Sequence, residues 1–150
     1  MASPSPTNPT TPSHYTSSQT ALLLLDFHNM LVDRNPSNAL ALATAVSTKK
    51  WAKSQGIHII HCLIDSTSKP FPTAKNIEHL ASAMSLFKSA AGNEAPSLVE
   101  DANGEVTFTR RIGHVSALKS KGLMEYLEEN GIRSLALMGL IASHVREPGI

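Results

Sequence analysis

Cysteine is almost absent: Cys62 is the single thiol in 150 residues. An intrachain disulfide and a multi-cysteine metal site are thereby excluded. An excess of one charge is missing too. Thirteen Lys and Arg against twelve Asp and Glu leave a formal net charge of +1, and near-neutrality argues against an electrostatic nucleic-acid binder, which needs a basic face. Long hydrophobic runs are also lacking. The longest purely aliphatic stretches, Ala21–Leu25 and Ala39–Ala43, fall far below the roughly 18–20 apolar residues of a membrane-spanning helix. There is no G-x-G-x-x-G, P-loop, H-E-x-x-H or C-x-x-C, so dinucleotide, nucleoside-triphosphate and zinc-protease readings have no support and no cofactor is expected. No internal repeat is visible. The length suits one domain, and the expectation is a soluble, cytoplasmic protein.

What is present divides unevenly. Residues 1–20 hold four of the nine prolines and ten Ser or Thr, with no Lys or Arg. A segment with so little to bury does not repay its ordering entropy, so a disordered tail is expected over 1–20 and a folded domain over 21–150. The tail has no basic start and no apolar stretch, unlike a secretory signal.

Beyond it, strand-like and helix-like segments alternate. Ala21–Phe27 is apolar except for Asp26, the pattern of a strand buried on both faces in a parallel sheet. Asn35-Pro36-Ser37 starts a helix expected from about Ala39 to Gln55, with Leu40, Leu42, Ala43, Val46 and Trp51 available for its inner face. Gly56 stands where a left-handed helix end is wanted. Ile57–Ile64 reads as the second strand, residues 65–75 as a loop broken by Pro70 and Pro72, and Asn76–Lys88 as a second helix. A long connection, Ser89–Glu105, leads to a third strand at Val106–Arg110, a third helix at Gly122–Asn130 and a fourth strand at Ser134–Leu140. This order implies an α/β fold, a parallel sheet with helices on both faces.

In such folds the chemistry gathers beyond the C-terminal ends of the strands. Those ends are Asp26–Asn29, Asp65–Ser66, Arg110–His114 and Gly139–His144. Asp26, directly after four leucines, suits a general base if its carboxylate is partly desolvated; the alternative is a structural acid paired with Arg110 or Arg111. Either arginine suits an anionic substrate, an ion pair with Asp26, or a solvated loop. His28 and His114 lie on the same rim and complete the candidate substrate contacts. His58 and His61, three apart within a strand, point to opposite faces, which argues against a shared metal. Cys62, in mid-strand, reads as a small buried hydrophobe.

Leu22-Leu23-Leu24-Leu25-Asp26-Phe27-His28-Asn29 resembles the first-strand motif of the isochorismatase-like cysteine hydrolases, an apolar run followed by Asp-x-x-Asn. The likeness continues through Ile59-Ile60-His61, Val106–Arg111 with Ile112–Leu118, and Leu135–Leu140, and so covers about residues 20–145. Fungal members are the most similar in pattern. The resemblance implies a three-layer, Rossmann-like parallel sheet, a small-molecule substrate, hydrolysis of a C–N amide or vinyl-ether bond, and an Asp–Lys–Cys triad. In amidase members Cys attacks the carbonyl carbon; some members that cleave the vinyl ether of isochorismate do without it. Asp26 matches the family acid. Thr109 stands at the lysine position, with Arg110 and Arg111 just beyond, and Val145 stands at the cysteine position. Val has no nucleophilic atom, and Ser143 and His144 lie one or two positions early. Little or no amidase activity is therefore expected.

Family members continue with further strands and helices where this sequence ends at Ile150. With a 3-2-1-4-5-6 strand order, strand four becomes an apolar edge. A truncated C-terminus, or a homo-oligomer covering that edge, is the expectation. The competing reading is a non-catalytic interaction protein that keeps the fold.

Overall fold

The computed structural model describes residues 7, 8, 10, 11, 14–65, 67 and 92–140. The expected helix at Asn76–Lys88 and the positions Ser143, His144 and Val145 lie outside them.

Four strands form one parallel sheet: β1 (Thr20–Leu25), β2 (His58–Asp65), β3 (Val106–Arg111) and β4 (Ser134–Gly139), in the order β3-β2-β1-β4. Among the described residues β1 and β2 are therefore central and β4 is an edge. The strands are connected by α1 (Asn29–Val32), α2 (Pro36–Ser54), α3 (Pro96–Val99) and α4 (Leu123–Glu129). In register, Leu24 of β1 lies beside His61 of β2 and Met138 of β4. Ahead of β1, Ser17–Gln19 forms a 3-10 turn closed by Thr16 and Gln19, and the Gln19 carbonyl accepts from the Arg133 N–H.

The unbroken run Ala21–Leu24 is buried because the sheet is covered on both sides. On one side Leu22, Leu24, Phe27 and Ile59 pack with Ala45 and Ala52 of α2 and with Leu98. On the other, Ala21, Leu23, Ile60 and Cys62 pack with Leu123 and Leu127 of α4. Strand alternation assigns these sets: even β1 residues meet α2, odd ones meet α4. The parallel α/β sheet with helices on its faces, read from the segment order, is thus present, and His58 and His61 do fall on opposite faces. His58 packs edge-on to Tyr126 of α4, whereas His61 faces the α2 side.

Local signals account for the ends of α2. The Asn35 side chain caps it by accepting from the Ser37 N–H, with Pro36 in the first helical position. Gly56, at φ +78°, closes it: the Ile57 N–H donates to Ala52 and the Gly56 N–H to Lys53. Gly131 repeats this closure after α4. The inner face of α2 differs from expectation. Leu40 and Trp51 are 72% and 59% exposed, and the buried positions are Asn38, Ala45, Lys49 and Ala52. Leu42 and Val46 flank this stripe, packed against the core. Trp51 lies about a hundred degrees around the helix from Ala52 and so turns to solvent.

Candidate active site

Asp26 is the first residue past β1. It adopts φ +58°, a left-handed conformation that Asp tolerates better than most side chains. Its N–H still donates to the Cys62 carbonyl, and its own carbonyl accepts from the His28 N–H at 2.8 Å. This tight turn ends the ladder and brings the carboxylate to the C-terminal mouth of the sheet.

Arg110 meets it there. Its Nη1 and Nη2 donate to Asp26 Oδ1 and Oδ2 at 2.6 and 2.8 Å, and its Nε donates to the His114 carbonyl at 2.8 Å. The bidentate fork fixes the carboxylate plane, and the third bond fixes the guanidinium. The Arg110 side chain is 8% exposed and that of Asp26 29%, so one edge of the acid remains open to solvent. The turn Arg111–His114, with Gly113 at φ +102°, supplies the carbonyl.

Parity decides which β3 residue reaches Asp26. Val106 and Phe108 pack toward α4, and Arg110 continues that face. Thr109 is exposed and points the other way. The cation beside the acid is Arg110, one residue later.

The other candidates are distributed around this pair. Arg111 ends β3 beside Asp65 in register and is half-buried. His114 contributes its carbonyl to Arg110. His28 is drawn inside: it is 1% exposed, its Nδ1 bonds the Gly92 carbonyl at 2.6 Å, and its Nε2 accepts from the Ile64 N–H at 3.1 Å. That pattern corresponds to the Nδ1–H tautomer and pins the Gly92 segment to β2. Cys62 lies fully buried on the α4 face below Asp26. Burial, with the negative field of Asp26, pushes its thiol up to about 12, the opposite of what an attacking thiolate needs.

A second polar assembly, not foreseen from the sequence, lies on the α2 face. His61 Nδ1 and Nε2 sit 2.5 Å from Glu94 Oε1 and Glu105 Oε1. Glu105 also accepts from Lys49 at 3.2 Å and Lys53 at 2.8 Å. Lys49 is itself buried and donates to the carbonyls of Leu98 and Glu100. The residues come from four segments far apart in sequence, and only the i, i+4 lysines form a local pattern. Among the described residues no group of His, Cys, Asp and Glu is arranged to hold a metal ion, and no helix is long and apolar enough to cross a membrane.

Comparison with known proteins bears on this geometry. The isochorismatase domain model matches residues 20–145. No curated protein matches the sequence. Among solved structures, an isochorismatase from Pseudomonas putida is similar at 22% identity and TM-score 0.59, covering 84% of this chain and 58% of that one. A cysteine hydrolase from Pseudomonas syringae pv. phaseolicola is similar at 14% identity and TM-score 0.63, covering 94% and 66%. An isochorismatase family protein from Burkholderia thailandensis is similar at 16% identity and TM-score 0.56, covering 82% and 65%. At these identities the likeness is one of fold, and the chain spans less than two thirds of the length of each of these three structures. With the domain model matching most of its length, the chain belongs to the isochorismatase domain family.

Proposed function

We propose that the mouth of β1, β3 and β4 is a small-molecule hydrolase site that works without thiol chemistry, with Asp26 as its acid–base residue. Arg110 is the cation that orients Asp26, and Arg111 and His114 contribute to the substrate rim. His28 belongs to the support of that rim, since both its ring nitrogens are engaged by backbone. The observation that carries the reading is the bidentate Asp26–Arg110 pair at the strand ends, above a thiol that is buried and strongly protonated.

The chemistry follows from what the pair offers. Amide hydrolysis of the cysteine type needs a thiolate within reach of the carbonyl carbon. Cys62, the one thiol in the sequence, lies beneath the sheet end and is not an available nucleophile. Vinyl-ether hydrolysis needs no thiolate. Water supplies a proton, which the open edge of the Asp26 carboxyl relays to the vinyl carbon. The hydroxide equivalent left behind adds to the adjacent carbon to give a hemiketal that releases the alcohol. A vinyl ether of the isochorismate type is therefore the favoured substrate class. The purified chain should hydrolyse isochorismate and lose that activity on Asp26→Asn. Hydrolysis of small amides at an enzymatic rate, lost on the same substitution, overturns the reading. The single thiol also fits a reducing cytoplasm.

One observation favours a second reading. On the β4 edge, Leu135 and Leu137 are 39% and 61% exposed, and no charged residue or proline interrupts Ser134–Gly139. Such an edge invites pairing with another strand. In this reading the chain is a fold-keeping interaction protein that self-associates through β4, with a function independent of Asp26.

A further inference from the structure

The buried cluster around His61 has a chemical requirement of its own. A neutral imidazole has one donor and one acceptor nitrogen, whereas an ionised carboxylate only accepts. Here both ring nitrogens face carboxylate oxygens at 2.5 Å. Two ionised carboxylates at that distance require both nitrogens to carry protons. Glu105 is further committed to the ionised form by Lys49 and Lys53. With both carboxylates ionised, an imidazolium satisfies every group, whereas a neutral ring satisfies them only with a proton on Glu94.

The cluster joins parts of the chain that are far apart in sequence, and it adds a charged tie to the backbone bonds and the His28–Gly92 bond that already hold one of them. Glu94 belongs to the segment Gly92–Ala95, which runs antiparallel to Phe27–Asn29 directly after Asp26. The Ala95 N–H donates to the Phe27 carbonyl and the Asn29 N–H to the Asn93 carbonyl, each at 2.8 Å. Glu105 precedes β3. His61 thus links this segment, through β2, to the start of β3 and to α2.

We propose that His61 is a proton-operated latch: as imidazolium it holds the Gly92–Ala95 segment on the sheet, and loss of its proton releases that segment. The charged groups that face it are Glu94 from the segment and Glu105 from the approach to β3, with Lys49 and Lys53 of α2 behind Glu105. Its lateral neighbours in the sheet, Leu24 and Thr107, carry no charge. Burial disfavours the charged ring, but hydrogen bonds and attraction from Glu94 and Glu105 outweigh it and raise the pKa above the usual 6.5. The sign follows. The latch is fully closed below the pKa of a free histidine and weakens as pH rises toward that of the folded ring. The proposal does not depend on the chemistry assigned to Asp26.

Hydrogen exchange and imidazole 15N resonances of the full chain, followed as a function of pH, test it. At pH 6 the ring should be doubly protonated. Protection of the Ala95 and Asn29 amides, corrected for intrinsic exchange, should be constant below about pH 6.5, then fall by up to roughly tenfold per pH unit, and level off where the folded ring titrates. Glu94→Gln should move the ring titration and the levelling point together to lower pH. A neutral ring at pH 6, or protection that ignores the ring titration, overturns the proposal. If Glu94→Gln does not fold, the wild-type measurements decide alone.

Discussion

Arg110 reaches back 84 positions along the chain to hold both carboxylate oxygens of Asp26. The pair joins the ends of two strands separated by β2, so it acts as a clasp across the mouth of the sheet as well as a site. Arg110→Ala should lower unfolding free energy by about 1.5–3 kcal/mol, the range for hydrogen bonds to charged groups. Arg110→Lys keeps the charge but not the fork or the bond to the His114 carbonyl, and should recover less than half of the loss. Urea denaturation of the two variants measures both.

Glu105 should matter more to stability than Asp26. Glu105→Gln leaves buried Lys49 facing a neutral amide, and removing one partner of a buried ion pair costs about 3–5 kcal/mol. The acid limb of stability has the same origin. Burial raises the Glu105 pKa, but bonds from Lys53, His61 and Lys49 outweigh this and hold it below the usual 4.5. Its contribution is present above pH 4.5 and is lost as pH falls through the lower folded value. Thermal unfolding between pH 3 and 6 should show that loss in the wild type and a flatter profile in Glu105→Gln.

Cys62 should be inert in the native protein. With its thiol pushed up to about 12 and its surface fully buried, labelling by iodoacetamide at pH 8 should follow the rate of unfolding. Rapid labelling under native conditions contradicts this placement.

The β4 edge gives a test that leaves the site untouched. Leu137→Lys, at a position 61% exposed, should change monomer stability by no more than about 0.5 kcal/mol. If β4 mediates self-association, the same substitution should convert the particle to a monomer in light scattering. An unchanged mass excludes β4 as the contact.

Much of the fold was legible because its signals are local. Four consecutive leucines mark a strand covered on both faces, and Gly56 and Asn130-Gly131 mark helix ends through the one backbone conformation that glycine adopts freely. The alternation that parts His58 from His61 needs only the strand assignment. The charge cluster was not legible. His61, Glu94 and Glu105 meet across 33 and 44 positions, and no local pattern distinguishes a buried Lys49 from an exposed Lys50. The partner of Asp26 depended on parity. A shift of one residue along β3 exchanges Thr109 for Arg110, and an apolar pattern as weak as Val-Thr-Phe-Thr does not fix it. Trp51 misled because its size suggests the core, whereas Lys49 takes the inward face and satisfies its charge there.

Turnover of isochorismate and of small amides by the purified chain, each compared with Asp26→Asn, decides whether Asp26 is the acid–base residue. Isochorismate hydrolysis should fall by about 10²–10⁴-fold in the variant, the range for loss of a general acid–base group, and amides should be left intact by both proteins. Amide hydrolysis that depends on Asp26, or isochorismate hydrolysis indifferent to it, rules out Asp26 as the acid–base residue of a thiol-free site.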